Sequence, residues 1–343
     1  MAVSKSAIPV IIGAAKFGTG DIAMIKSVQE VDRLFSWSVE RGYSFVDTGA
    51  MYPSPPDSGS SERLIGQSQH LDKLTISLKA FSLRPLAHNA ENLRESIEGS
   101  LERLGVKKVK IFMLQTPEPG KVTSVEETLS TVDALHKEGK FEQFGLSNFA
   151  LEDLEEFVNV SKKNNYVPIS VYEGQYNILS RNPEEKLLPF LRNHNIGFWA
   201  FSPSAGGFLS GKWLTNRNQA GRFAGDNGMA AISRMWYFKD ALFTAVTRFL
   251  DFLKKDHPDL QGIEVALRWI AHHSPLKKEN GDAIMIGGSR VEHWQKNIEF
   301  LEKGPLPSDV VDQVEQLWDQ VKDVAIDYDS DLSKMGAGPP PAQ

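Results

Sequence analysis

The chain has 343 residues, 41% apolar and 24% charged, with a net charge of -6 and a pI near 5.8, the balance of an ordinary globular protein. Its length suits one large barrel or two medium domains, and its acidic balance argues against a nucleic-acid surface. No apolar run approaches the roughly 20 residues that span a bilayer, and the lack of cysteine excludes disulfides, thiolate metal sites and cysteine nucleophiles. The short, mixed start does not read as a secretory signal, so the expectations are a cytoplasmic location and a small-molecule partner, with no nucleic acid, membrane or metal.

Residues 9–13 form the first apolar run, between a proline and a glycine, and predict a strand. Val31, Leu34, Phe35 and Val39 then recur at helical spacing, which predicts a helix over 28–41 closed by Gly42. A second strand runs into Asp47, a Pro/Ser/Gly-rich loop covers 53–60, and a helix is predicted over 61–69. The third strand, 74–79, stops on Lys79. Leu93, Ile97, Leu101 and Leu104 share one helical face ended by Gly105, and 109–114 is strand. In the next unit Thr123 with Glu126, or Ser124 with Glu127, has capping-box spacing. Val125, Leu129, Val132 and Leu135 form the face that follows, Gly139 ends it, and 141–145 is extended. Helix over 151–163, strand over 169–174, helix over 183–193 and strand over 196–201 continue the alternation. The spacing then breaks: a long functional loop is predicted from Ser202 to about Met235, followed by helical material and a last strand at 283–286.

The strands, apart from the last, recur every 27 to 35 residues or about one βα unit, and strands apolar on both faces suit a parallel sheet covered by helices. Eight such units predict a single-domain α/β protein, a (β/α)8 TIM barrel over 1–334 with a long loop after the seventh strand. A doubly wound open sheet is the alternative, weakened because no Gly-x-Gly-x-x-Gly follows the first strand. The tail 335–343 is too rich in Pro and Gly to fold and is expected to be mobile.

Chemistry is concentrated at strand ends. Asp47 ends a buried run and Tyr52 follows five residues later; Lys79 meets both if the two strands are neighbours. A lysine cation beside a phenol favours the phenolate, which eases proton donation at neutral pH, and the aspartate would keep that lysine charged. His272 and His273 end a helix that begins near Gly262, where a cation meets the helix dipole rather than a metal.

With these residues in place the chain resembles the aldo-keto reductases, most closely the aflatoxin-aldehyde reductases, from about residue 9 to 328. The specific blocks are 46–52, 138–149, 171–177 and 199–212, the last with Ala-Gly-Gly-Phe-Leu-Ser-Gly-Lys. The resemblance implies a barrel that binds NADPH without a Rossmann domain and reduces a carbonyl, with Tyr52 as proton donor tuned by Lys79 and Asp47. It places Ser147, Asn148 and Gln175 on the nicotinamide carboxamide and Phe201 on the ring face. Ser202, Pro203, Ala205, Gly207, Leu209, Gly211 and Lys212 would run along the pyrophosphate, with Arg222 a further strap residue. Gly288, Ser289, Arg290, His293 and Asn297 match the segment that reads the adenosine, and a cation such as Arg290 near the ribose favours NADPH over NADH. The family analogy also implies a homodimer.

The chain departs from the family at Gln115, where the fourth catalytic residue is otherwise a histidine; none of the 8 histidines lies at a predicted strand end. A glutamine amide can donate a hydrogen bond to a carbonyl but cannot titrate near neutral pH. Carbonyl reduction by Tyr52 alone is therefore expected, with reduction of an activated C=C bond or redox-neutral natural-product chemistry, and an NADPH-binding regulatory subunit with little turnover, as alternatives. The family's cationic clamps are missing around Ser233, Trp236 and residues 327–331. Met51, Phe223 and Trp236, with Tyr237, are candidate walls for an apolar or aromatic substrate.

Overall fold

The computed structural model describes residues 6–214, 223 and 228–326. Eight strands, β1 (Val10–Gly13), β2 (Phe45–Gly49), β3 (Thr75–Ala80), β4 (Val109–Leu114), β5 (Phe141–Ser147), β6 (Ile169–Gln175), β7 (Gly197–Phe201) and β8 (Ala283–Ile286), pair in chain order into a closed barrel. Every pairing is parallel, and β8 returns to β1 with Ile11 opposite Met285. This is the predicted (β/α)8 barrel rather than the open sheet.

Side chains alternate across each strand, and the alternation builds two cores. Ile11, Ile111, Met113, Val171, Trp199, Ala283 and Met285 point inward and fill the barrel, with Phe45 and Phe201 packed on them. Their outward neighbours, among them Ile12, Val46, Leu78, Phe112, Phe144, Tyr172 and Phe198, meet the helices. Burying each such side chain contributes about 1.5–3 kcal/mol, so both faces of every strand hold the ring closed.

The helices are α1 (Val28–Glu40), α2 (Ser60–Gly66), α3 (Ala90–Leu104), α4 (Val125–Lys137), α5 (Leu151–Asn164), α6 (Leu187–Asn193), α7 (Gly228–Tyr237), α8 (Asp240–Asp256), α9 (Gly262–His272), α10 (Val291–Leu301) and α11 (Ser308–Val321). Of the two capping pairs proposed for α4, Ser124 is the cap: its Oγ accepts from the Glu127 amide at 3.2 Å, while the Thr123 amide is taken by Glu118. At the end of α9 the His272 ring meets the Lys303 carbonyl at 2.7 Å and the His273 ring accepts from the Leu306 amide at 2.9 Å, so both tie down chain.

The segment after β7 differs from the long loop predicted to about residue 235. Short 3-10 turns occupy Ala205–Ser210 and Lys212–Leu214, and α7 already begins at Gly228. Met229, Ala230, Ala231 and Met235 are good helix formers, but Asn and Gly upstream hide the start from a pattern of local composition. Arg222 and the tail lie outside the described residues. Among the described residues no helix is long and apolar enough to cross a membrane.

Candidate active site

Register brings the acid and the lysine together. Across β2 and β3, Asp47 lies opposite Ser77 and Gly49 opposite Lys79. Period-two alternation turns Asp47, Ser77 and Lys79 into the barrel, where Asp47 and Lys79 are each 1% exposed. Lys79 Nζ pairs directly with Asp47 Oδ1, which also accepts from Ser77 Oγ at 3.0 Å. A side chain on Gly49 would press its Cβ to 3.1 Å from the Lys79 Cβ, so glycine leaves the lysine its room.

Tyr52 is placed by the turn after β2. Its amide donates to the Gly49 carbonyl at 2.9 Å and its carbonyl accepts from the Ser61 amide at 3.2 Å. Ser61, in the first turn of α2, also donates its hydroxyl to the Ala14 carbonyl and meets Thr48 Oγ1, each at 3.0 Å. The ring is thereby held over the lysine, with Lys79 Nζ 5.8 Å from the ring centroid.

A second carboxylate, absent from the sequence-based candidates, completes the cluster. Glu173 in β6 is 3% exposed, and its Oε2 lies 2.8 Å from Lys79 Nζ. The available signal was the one charged residue of β6, at an inward position in phase with Val171 and Gln175. Burial works against the Lys79 ammonium, but Asp47, Glu173 and Tyr52 outweigh it and hold its pKa well above the lysine range. Burial also raises both carboxyls: Asp47 is restrained by Lys79 and Ser77, whereas Glu173 is pushed up to about 8 despite Lys79, with Asp47 adding to the rise.

Gln115 follows β4 directly. Its backbone carbonyl accepts from Asn148 Nδ2 at 2.8 Å, and its Oε1 is buried with no partner among the described residues. That oxygen lies 3.6 Å from where a Gly49 Cβ would stand, which puts the amide at the Lys79 corner of the site. His88, in the loop after β3, turns elsewhere: its Nε2 meets Ser82 Oγ at 2.9 Å and its ring stacks on Phe149.

Ser147 ends β5 wholly buried, and Asn148 follows with φ 63. Asn148 Nδ2 reaches Ser147 Oγ at 3.0 Å as well as the Gln115 carbonyl, leaving its Oδ1 buried and without a partner among the described residues. The residue facing Ser147 across the strands is Glu173; Gln175 lies beyond it, opposite Phe201, with Nε2 donating to Tyr237 Oη at 2.8 Å. Phe201 is half-buried on the barrel core. Ser202 and Ala205 have positive φ and Pro203 is buried. Gly207 has φ 91 with open space where a Cβ would be, and Gly211 has φ 68. The Leu209 side chain is fully buried, so only its backbone can face a ligand.

Beyond that turn the cations gather. Lys212 and Arg290 are exposed, and Arg290 Nη2 lies 3.0 Å from His293 Nε2 while Ser289 Oγ lies 3.0 Å from its Nδ1. Burial, then Arg290, then Lys212 lower the pKa of His293, the response of an imidazole placed among like charges. Gly288 opens this segment and Asn297 closes it, donating to the Gly287 carbonyl at 3.1 Å. An orphaned carboxamide acceptor on Asn148, open space at Gly207 and the cations Lys212 and Arg290 around His293 fit a long anionic ligand with an amide head.

Of the candidate substrate walls, Met51 is half-buried, while Phe223 and Trp236 are 2% and 5% exposed. Phe223 stacks on Phe238 at 5.3 Å within an aromatic cluster that includes Phe208 and Tyr237, so it backs the wall rather than lining it. The segment also holds an arginine: Arg234 Nη1 donates to the Phe223 carbonyl at 2.8 Å.

The model of the Aldo/keto reductase family matches residues 9–319. The chain is 34% identical over 293 residues to human aflatoxin B1 aldehyde reductase member 2, covering 82% of this chain and 79% of that one. It is 32% identical over 290 residues to an aldo-keto reductase of Pseudocercospora fijiensis, covering 82% and 95%. It is 31% identical over 328 residues to the oxidoreductase sirO of Leptosphaeria maculans, covering 93% and 96%.

Proposed function

The chain belongs to the Aldo/keto reductase family and is an oxidoreductase; from that premise we propose that it is an NADPH-dependent reductase of aldehydes or ketones with apolar or aromatic bodies. The observation that carries this is the buried Lys79, paired with Asp47 and held under the Tyr52 ring. NADPH, when bound, would provide the hydride chemistry for a carbonyl carbon. The Tyr52 hydroxyl gives its proton to the carbonyl oxygen as negative charge develops there. Lys79 lowers the cost of the phenolate left behind, and Asp47 keeps Lys79 charged and aimed. Gln115 orients the carbonyl through its amide without titrating.

Asn148 Oδ1 and Ser147 would hold the carboxamide, Gly207 would admit the pyrophosphate, and Lys212, Arg290 and His293 would hold the adenosine phosphate. The bulk of the aromatic cluster behind Trp236 and the pinned Arg234 supports an apolar substrate over a small carboxylate. Gln115 in place of a histidine supports one second reading, reduction of an enone at its C=C bond.

NADPH absorbance with aromatic aldehydes, aryl ketones and enones tests both. Wild type is expected to oxidise NADPH with a carbonyl, Tyr52→Phe to lose at least about a hundredfold in kcat, and Gln115→His to speed the reaction. Turnover of enones alone would select the second reading, and stoichiometric NADPH binding without any turnover would replace both with a regulatory role.

A further inference from the structure

A buried carboxyl that plays no part in the steps above faces the lysine that does. The groups around Glu173 are Lys79 from β3, Asp47 from β2 beyond it, Ser147 in register on β5, Trp199 in register on β7, and Tyr52 over Lys79. Lys79 is the cation of this cluster, and two carboxyls converge on it inside an apolar barrel. With both ionised, the cluster would carry net negative charge in a medium that penalises it by several kcal/mol. With one protonated, it is neutral. Asp47 receives two donors, Lys79 and Ser77, while the contact of Glu173 is to the ammonium, so the proton resides on Glu173.

An ammonium has three protons to share; Asp47 and Glu173 both draw on them, and the Tyr52 ring stands over the same cation. We propose that Glu173 is a positioning residue that sets the proton-donating power of Tyr52 through Lys79, supporting donation while protonated and weakening it once ionised. A neutral Glu173 leaves the full lysine charge to act on the phenol. An ionised Glu173 adds a negative charge and competes for the ammonium, so the phenolate becomes costlier and Tyr52 holds its proton more tightly. Glu173 keeps its own proton throughout turnover; no bond to it forms or breaks. The elevation of its pKa to about 8 places the change within a workable pH range. The inference rests on the assignment of Tyr52 as proton donor.

Glu173→Gln tests it, because the amide keeps shape and stays neutral at every pH. In wild type kcat for carbonyl reduction at saturating NADPH should decline as pH rises through the titration of Glu173, and that decline should be lost in Glu173→Gln. The Tyr52 phenol, followed without substrate by tyrosinate absorbance as the difference from the matching Tyr52→Phe protein, should ionise at a pH lower by about one or more in Glu173→Gln than in wild type. Identical phenol titrations in the two backgrounds overturn the proposal. Absence of carbonyl turnover in wild type removes the reductase reading, while the phenol titration still decides the role of Glu173. If Glu173→Gln does not fold, infrared spectra of wild type with carboxyl-labelled glutamate decide: a protonated band lost near pH 8 supports the proposal, and none in that range overturns it.

Discussion

Two groups of cations in this molecule obey opposite rules. Lys79 is 1% exposed and carries its counter-charges with it, Asp47 and Glu173, because a bare ammonium in the barrel would cost several kcal/mol. Arg290 and Lys212 stand in water, where a surface charge costs little, and they press on His293 rather than neutralise it. A charge buried by folding is compensated by folding. A charge left at the surface costs little without such compensation.

Removing one member of each group should separate the two rules. Lys79→Met leaves two buried carboxyls facing each other, and a loss of about 3–5 kcal/mol in unfolding free energy is expected near neutral pH. Thermal melts should show part of that loss recovered as pH falls and both carboxyls protonate. A melt unchanged from wild type would mean that the cluster is not a stabilising unit. Arg290→Leu should shift stability by less than about 0.5 kcal/mol, yet weaken NADPH roughly ten- to a hundredfold in Kd through loss of a charged contact. Titration by cofactor fluorescence should find NADH little affected, and an equal loss for both cofactors would move Arg290 away from the adenosine phosphate.

The smallest effect sharpens the same contrast. His88 is buried, and burial lowers its pKa to about 4, with Glu118 opposing only in part. Its folded pKa lies below the unfolded value of 6.5, so its neutral form contributes stability that is present above that value and is lost as pH falls toward about 4. Glu173 has the opposite sign: its folded pKa exceeds the unfolded 4.5, so its contribution declines as pH rises from there to about 8. Melts of His88→Gln should therefore flatten the acid side of the stability profile, and melts of Glu173→Gln the side between weakly acidic and neutral pH. Profiles parallel to wild type in both variants would remove these assignments.

Much of this was legible in the residues themselves. The recurrence of apolar runs set the eight strands and their order, since each βα unit is written in its own local pattern of burial. Asp47 and Lys79 stood out because a charge that ends an apolar strand sits where a barrel opens, whereas Ser147 and Asn148 were named only through the family resemblance of the block around them. Local pattern said less where two solutions have similar composition: it left Thr123 and Ser124 as equal caps for α4, and it read 228–235 as loop where the chain is helical. What the sequence by itself determined was which residues lie on strands and which strand ends carry charge, because helix and strand periods are short-range properties of the chain. Only the tertiary structure decided that Glu173 shares Lys79 with Asp47, and that Glu173 rather than Gln175 faces Ser147. Those contacts depend on strand register and barrel closure, which join residues distant in the chain and leave no mark on the neighbours of either.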